Sequence, residues 1–353
     1  MDTARHFVDS FPGRVLYAVK ANDHPEIIRL LNLGGVRHFD CASVHEIDVV
    51  MGACENATCY FMIPARLRGT AGQAQEEYGV RHFMVDHLSA IRPLVDEIDA
   101  QTSIVFARMA VHHSAALQDL SSKFGAPPEE IPELLRAIAE TGAEAALAFN
   151  VGSSVTSPDA YSHAIEVAAR VLTDSQLRVR LVDIGGGFPK TYPGFAVPHL
   201  DEYFSAIRVA AKSLPLADNN ELLVEPGRAL AAPGMSALVE VLLRKDRRLY
   251  LNDGMYGIFW ELRFDGHKQY AFRCYRDGEE FTSPLRPFRL YGPTCDGTDV
   301  LPAEIELPED IRPGDYIEFG RIGAYSLSGR TEFNGHYSNE IVSITGTGEM
   351  PPS

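Results

Sequence analysis

Val15-Leu16-Tyr17-Ala18-Val19-Lys20-Ala21-Asn22 reads as an apolar β-strand that delivers one lysine to its C-terminal end, immediately before a turn. Short apolar runs of the same kind recur downstream at 36–39, 57–62, 80–85, 103–109, 146–151, 177–184 and 221–224. Such runs suit strands covered on both faces. Helical patterns lie between them, most clearly at 25–33, 43–51, 127–140 and 158–172, and Ser43 with Glu46 makes a capping-box signature. Eight strands with interleaved helices predict an α/β fold, a (β/α)8 TIM barrel. A doubly wound open sheet is the alternative, because periodicity does not prove closure.

After Pro233-Gly234 the pattern changes. Runs at 237–243, 248–252, 269–274, 288–291, 315–319 and 340–344 read as strands separated by Gly, Pro and Asp turns. The expected organisation is a barrel over 1–234 and a second, mostly β domain over 235–353.

Bulk properties narrow the function. Hydrophobic residues at 45% and charged residues at 23% are ordinary for a globular protein. No apolar run is long enough to span a bilayer, and the N-terminus lacks the charged-then-apolar pattern of a signal peptide. Five irregularly spaced cysteines fit neither a disulfide framework nor a zinc motif, so a reducing cytoplasm is expected and no metal. A net charge of −16 argues against a nucleic-acid partner and suits a cationic substrate.

In a (β/α)8 barrel the chemistry sits at the C-terminal ends of the strands. That rim collects Lys20, Asp40, Arg108, Asn150, Gly185-Gly186-Gly187 and Glu225. Each has a bland reading: a solvated lysine, a helix cap, a structural ion pair, a tight turn. Their convergence on one rim is harder to dismiss. Three glycines after a strand let backbone N–H groups approach an anion. The segment matches neither GxGxxG nor a P-loop, so a monophosphate fits better than a dinucleotide. Gly227 offers a second close approach and Arg228 a positive charge. An aldehyde-reactive lysine, a phosphate cradle and an acid to keep a ring nitrogen protonated together describe a pyridoxal 5'-phosphate site.

At this point the chain resembles a known family, the fold-type III pyridoxal phosphate-dependent basic amino acid decarboxylases, close to ornithine/lysine decarboxylase. The resemblance runs over nearly the whole chain. Its motifs include Tyr17-Ala18-Val19-Lys20, Phe39-Asp40-Cys41-Ala42-Ser43, Ser122-Lys123-Phe124-Gly125, Asp183 to Pro189, Glu225 to Arg228, Asn252 to Gly257, Gly292-Pro293-Thr294-Cys295-Asp296-Gly297, Gly323-Ala324-Tyr325 and Phe333-Asn334-Gly335. It implies that Lys20 holds the cofactor as an imine and that Glu225 pairs with the pyridinium nitrogen. Ser153, Gly185 to Gly187, Arg228 and Tyr325 would bind the phosphate. Asp40 and Arg108 would wall the site near Lys20. Cys295 and Asp296 would cross a homodimer interface, the cysteine returning a proton to the product and the aspartate gripping the distal amine. Asp265 is the second expected distal-amine acid, and Tyr256 is expected beside the substrate.

Aspartate after the cysteine favours a plain distal ammonium. The related diaminopimelate decarboxylases place glutamate there. Alanine racemases pair the pyridine nitrogen with arginine, which Glu225 argues against. The expected activity is decarboxylation of L-ornithine and/or L-lysine to putrescine or cadaverine, in polyamine biosynthesis. The alternatives are a decarboxylase or oxidative enzyme for another basic amino acid, and a silent regulatory homologue. Three departures from the family pattern stand out. Asn150 occupies the position of a ring-stacking histidine. The loop Met62-Ile63-Pro64-Ala65-Arg66 lacks the usual Asn-Pro. The chain starts just before strand one, where relatives have a further strand joining the β domain.

Overall fold

The computed structural model describes residues 1–118, 121–264 and 269–344. They form two compact units, Met1–Pro189 with Val197–Leu230, and Lys190–Ala196 with Ala231–Ser353.

The first unit is a closed, all-parallel barrel. Its strands are β1 (Arg14–Ala18), β2 (His38–Cys41), β3 (Thr58–Phe61), β4 (His82–Val85), β5 (Ile104–Met109), β6 (Glu144–Phe149), β7 (Leu181–Asp183) and β8 (Glu221–Val224). Each pairs with its sequence neighbour, and β1 closes on β8 with Arg14 opposite Leu223 and Val15 opposite Val224. Closure removes the open-sheet alternative. Leu16, Tyr60, Met62, Met84, Phe106, Ala146, Ala148, Leu181 and Leu223 form a buried cluster. The two alanines leave room for Phe106 and the methionines, the large-and-small alternation that fills a barrel interior.

Local chemistry starts the helices where expected. Pro25 opens Pro25–Leu33, and His24 caps it by accepting the Glu26 N–H. Ser43 caps Val44–Ala53 by accepting the Glu46 N–H at 3.1 Å. The Glu46 carboxylate reaches back to the Ala42 N–H at 2.6 Å, one residue short of a true capping box. The predicted helix at 127–140 divides into a 3-10 turn, Pro128–Glu130, and an α-helix, Ile131–Glu140. Helices Asp2–Ser10, Thr70–Tyr78 and Leu200–Ala210 gave no reading from sequence.

The second unit carries a seven-stranded sheet. Its strands are β9 (Ala237–Lys245), β10 (Arg248–Leu251), β11 (Phe272–Arg276), β12 (Glu279–Phe281), β13 (Leu285–Tyr291), β14 (Ile305–Pro308) and β15 (Tyr316–Phe319), in the order β12-β11-β15-β9-β10-β13-β14. Two of these were not predicted. Glu279-Glu280-Phe281 is too polar, and Ile305–Pro308 ends in a proline that suits only a sheet edge. The expected strand at 340–344 is absent: that segment has no ladder partner among the described residues, and Val342 and Ile344 are over 80% exposed. Apolar composition gives a strand only where a neighbour supplies the hydrogen bonds.

The N-terminal ends of the barrel strands hold a polar plug. Arg14 reaches Glu221 at 3.2 Å and the Tyr60 hydroxyl at 2.7 Å. Arg180 forms a two-pronged pair with Glu144 at 2.8 and 3.0 Å. His82 stacks on Tyr60 with ring centroids 3.8 Å apart. Burial, reinforced by the Arg14 charge, pushes His38 down from 6.5 to about 4 and His82 to about 3. Both imidazoles stay neutral in the folded protein, whereas in the unfolded chain they take protons near 6.5. The unfolded state therefore binds more protons across that window, and stability falls as pH drops from about 6.5 toward 4. His82→Phe keeps the ring stack and removes one titrating group. It is expected to flatten the acid limb of a pH series of urea unfolding midpoints; an unchanged limb would remove His82 from the account.

Candidate active site

Strand β1 ends in a 3-10 turn, Val19–Ala21, which carries Lys20 out of the apolar interior. Its side chain is 48% exposed, and its Nζ lies 2.9 Å from the Oδ2 of Asp40, a side chain only 3% exposed. The ladder between β1 and β2 sets this pair by placing Ala18 opposite Asp40.

Asp183, the last residue of β7, and Glu225, just past β8, are both buried. Asp183 Oδ1 accepts the Gly185 N–H at 2.8 Å, and the Glu225 N–H donates to the Gly185 carbonyl at 2.9 Å. Burial is the largest cause raising Asp183 to about 7, with the neighbouring Asp40 charge adding to it. Glu225 is also pushed well up, first by burial and then by Asp183 and Asp40, against the opposing pull of Lys20 and Arg108. Glu46, read from sequence only as a cap, belongs to the same acidic neighbourhood. Burial raises it to about 7, while Lys20 pulls it down.

The three glycines are demanded by backbone conformation, by space, or by both. Gly185 and Gly187 have φ of 71° and 100°. A Cβ at Gly185 would lie 2.5 Å from the Phe149 carbonyl oxygen, and one at Gly186 would lie 2.6 Å from that of Glu225. The carbonyls of Gly186 and Gly187 accept from the Tyr161 hydroxyl at 2.7 Å and the Val155 N–H at 2.9 Å. Among the described residues no acceptor takes the N–H groups of Gly186 and Gly187. Two held, unengaged N–H groups suit an anion.

Asn150 follows β6 and folds back on its own turn, its Oδ1 accepting the Gly152 N–H at 2.9 Å. Ser153 begins a short strand, Ser153–Val155, paired antiparallel with Ala116–Gln118. Arg108 lies in β5 with its guanidinium 5.5 Å from the Phe124 ring centre. Gly227 and Arg228 follow Glu225 and Pro226, and Arg228 is buried at the start of a short helix, Arg228–Ala231. Arg66, noted only because its loop breaks the family pattern, donates to the Met84 carbonyl at 2.6 Å at the end of β4. Burial lowers its guanidinium to about 10.

In the second unit the Asp296 carboxylate accepts from the Tyr256 hydroxyl and, at 2.8 Å, from the Thr298 N–H. Those bonds hold it below the usual carboxylate range. Tyr256 packs against Phe333 at 4.7 Å and under the Arg263 guanidinium at 4.4 Å. Cys295 is exposed, and its N–H donates to Asn334 Oδ1 at 3.1 Å. Asp299, which the sequence reading passed over, ties the two loops together. It accepts the Met255 N–H at 2.8 Å, the Thr294 N–H at 3.1 Å and the Thr294 hydroxyl at 2.7 Å. Its recurrence three residues after Asp296 was the available signal. Tyr325 takes a φ of 58° in this unit, and Asp265 lies outside the described residues.

Residues 1–232 match the model for the pyridoxal binding domain of pyridoxal-dependent decarboxylases, and residues 233–323 match that for their C-terminal sheet domain. The chain belongs to this family. A lysine/ornithine decarboxylase of Selenomonas ruminantium is 33% identical over 334 residues, covering 92% of this chain and 81% of the relative. The crystal structure of lysine/ornithine decarboxylase from Vibrio vulnificus, complexed with putrescine, superposes with a TM-score of 0.80 at 27% identity over 96% of this chain and 93% of that one. Antizyme inhibitor 2 of Xenopus laevis is 29% identical over 95% of this chain and 76% of its own length. The protein is a pyridoxal phosphate-dependent decarboxylase with the barrel and sheet domains of that family. The barrel residues fit the cofactor: among the described residues a buried Glu225 oxygen, Oε1, meets no donor, and the Gly186 and Gly187 N–H groups meet no acceptor. Among the described residues no helix is long and apolar enough to cross a membrane.

Proposed function

We propose that this decarboxylase acts on L-ornithine and L-lysine, releasing putrescine and cadaverine for polyamine synthesis. When bound, pyridoxal phosphate supplies an electron sink for the pair left behind as carbon dioxide departs. The chain's own residues supply the rest. Lys20 is the amine that holds the cofactor aldehyde, with Asp40 orienting its Nζ. Glu225 presents a carboxylate to the ring nitrogen and keeps that nitrogen protonated. Gly185 to Gly187, Ser153, Arg228 and Tyr325 hold the phosphate. Asn150, tied to its own turn, offers no aromatic ring of its own to stack on the cofactor. Cys295 returns a proton to the product carbon. The single observation that carries the reading is the Lys20–Asp40 pair at the barrel rim, within the influence of the buried Glu225.

Asp296 is the residue that reads the side chain of the substrate. Its oxygens are held by Tyr256 and Thr298, and its low proton affinity keeps it anionic. A fixed carboxylate suits a distal ammonium, and Asp265 is proposed as its second acid. The enzyme works as a homodimer in which Cys295 and Asp296 of one subunit complete the site of the other. Antizyme inhibitor 2 is a relative whose name describes a regulator, and a silent homologue is the second reading. Retention of Lys20, Glu225, the glycines and Cys295 favours the enzyme.

Three outcomes are expected. Borohydride reduction of the holoenzyme, followed by peptide mapping, should place the reduced cofactor on Lys20. Labelling at another lysine contradicts the assignment, and no labelling supports the silent reading. In a panel of ornithine, lysine, arginine and uncharged analogues with amine detection, Asp296→Ala should raise KM for the cationic substrates by roughly tenfold or more, the loss expected when a desolvated charge loses its partner. Selectivity unchanged in that variant would sink the specificity role. Mixing inactive Lys20→Ala and Cys295→Ala proteins should restore about one quarter of wild-type activity, because half the dimers are mixed and each has one intact composite site. No recovery despite proven subunit exchange would mean that each chain completes its own site.

A further inference from the structure

Asp183 has no part in the chemistry described so far, yet it sits where the phosphate cradle meets the ring-nitrogen acid. It is 1% exposed. Its backbone lies opposite Leu223 in the β7–β8 ladder. Glu225 is two residues beyond Leu223, so the side chains of Asp183 and Glu225 leave their strands on the same face. Each carboxyl feels the other's charge: Asp183 is among the groups that push Glu225 up. Asp183 Oδ1 is taken by the Gly185 N–H, whereas Asp183 Oδ2 and Glu225 Oε1 are both buried and meet no donor among the described residues. Two buried carboxylate oxygens without donors, on neighbouring strands, are costly if both groups are ionised. One proton between them removes that cost.

We infer that Asp183 is a positioning residue that keeps a proton and donates it in a hydrogen bond to Glu225, so that the buried pair carries a single negative charge aimed at the cofactor ring nitrogen. The inference rests on the assignment of Glu225 to that nitrogen. The charged and titratable groups around the pair agree with one proton rather than none. Asp40 and Asp183 repel a second negative charge, while Lys20 and Arg108 stabilise one carboxylate. Tyr60, whose hydroxyl is itself pushed up by burial, adds no charge. Gly185 links this pair to the cradle. Its N–H holds Asp183 and its carbonyl holds the Glu225 N–H, so one residue sets the position of both acids.

Asparagine is the stand-in for a protonated aspartate. In Asp183→Asn the carbonyl still accepts from Gly185, and the amide N–H still donates to Glu225. Asp183→Ala loses both bonds. Two measurements decide. Infrared difference spectra of the apoprotein, variant against wild type near neutral pH, should show a protonated carboxyl C=O stretch that Asp183→Asn abolishes. Persistence of that stretch in Asp183→Asn with loss in Glu225→Gln would put the proton on Glu225 and overturn the inference. Titration of the apoproteins with pyridoxal phosphate should give Asp183→Asn an affinity within about threefold of wild type. Asp183→Ala should bind roughly ten- to a hundredfold more weakly, the range expected for buried polar groups left unpaired. Equal weakening by Asn and Ala, with the Asn variant shown folded by circular dichroism, also overturns it. Glu225→Gln separates the two ideas: wild-type turnover in that variant refutes the Glu225 assignment, whatever the Asp183 variants do.

Discussion

Everything in the barrel unit depends on the ladder between its first and last strands. Arg14–Ala18 pairs in parallel with Glu221–Val224, and beyond it the Ala18 N–H donates to the Pro226 carbonyl at 3.3 Å. That closure puts Lys20 and Glu225 on one rim although they stand 205 positions apart in the chain. It also joins Arg14 to Glu221 at the opposite end, so one seam carries a structural ion pair at its base and the chemical groups at its top. Conservation of this geometry requires little from the loops and much from the register. A slip of one residue would turn each strand's inward side chains outward.

The rim is a study in uneven charge. Four carboxyls, Asp40, Glu46, Asp183 and Glu225, gather near one lysine, and three of them are pushed toward their protonated forms by burial. Isolated in a low-dielectric pocket these groups are costly, which is a familiar signature of a functional site. The same imbalance suits a cofactor that brings a pyridinium and a substrate that brings an ammonium. Burial pushes these acids toward their protonated forms, and a nearby cation such as Lys20 opposes that push.

The second unit solves a different problem. Its candidate side chains stand on loops and are half-buried or, for Cys295, exposed, so their geometry has to come from tethering as much as from burial. Asp299 supplies it with three hydrogen bonds that clamp the Thr294 loop to Met255. Gly254 and Gly292 leave it the space, since a Cβ on either would lie within 2.3 Å of its oxygens. Tyr256 then reaches Asp296 from the clamped loop and stacks between Phe333 and Arg263.

By itself the sequence determined the eight barrel strands, the change to a β unit near Pro233 and the rim residues Lys20, Asp40 and Glu225, because alternating apolar runs and strand-end polar residues are local signals. Recognition of Asp183 and Glu46 as members of the site needed the tertiary structure. One looks like the polar end of a strand and the other like a helix cap, and only the folded barrel brings Asp183 beside Glu225 and Glu46 within the influence of Lys20 and Asp40. The same holds for Asp299, whose value lies in two loops meeting. Residues 340–344 err the other way: their apolar pattern is locally strand-like, but no neighbouring strand pairs with them among the described residues. Local pattern sets what a segment is able to form, and pairing across the chain decides what it does form, since ladders, shared protons and clamps each need a partner that sequence order does not supply.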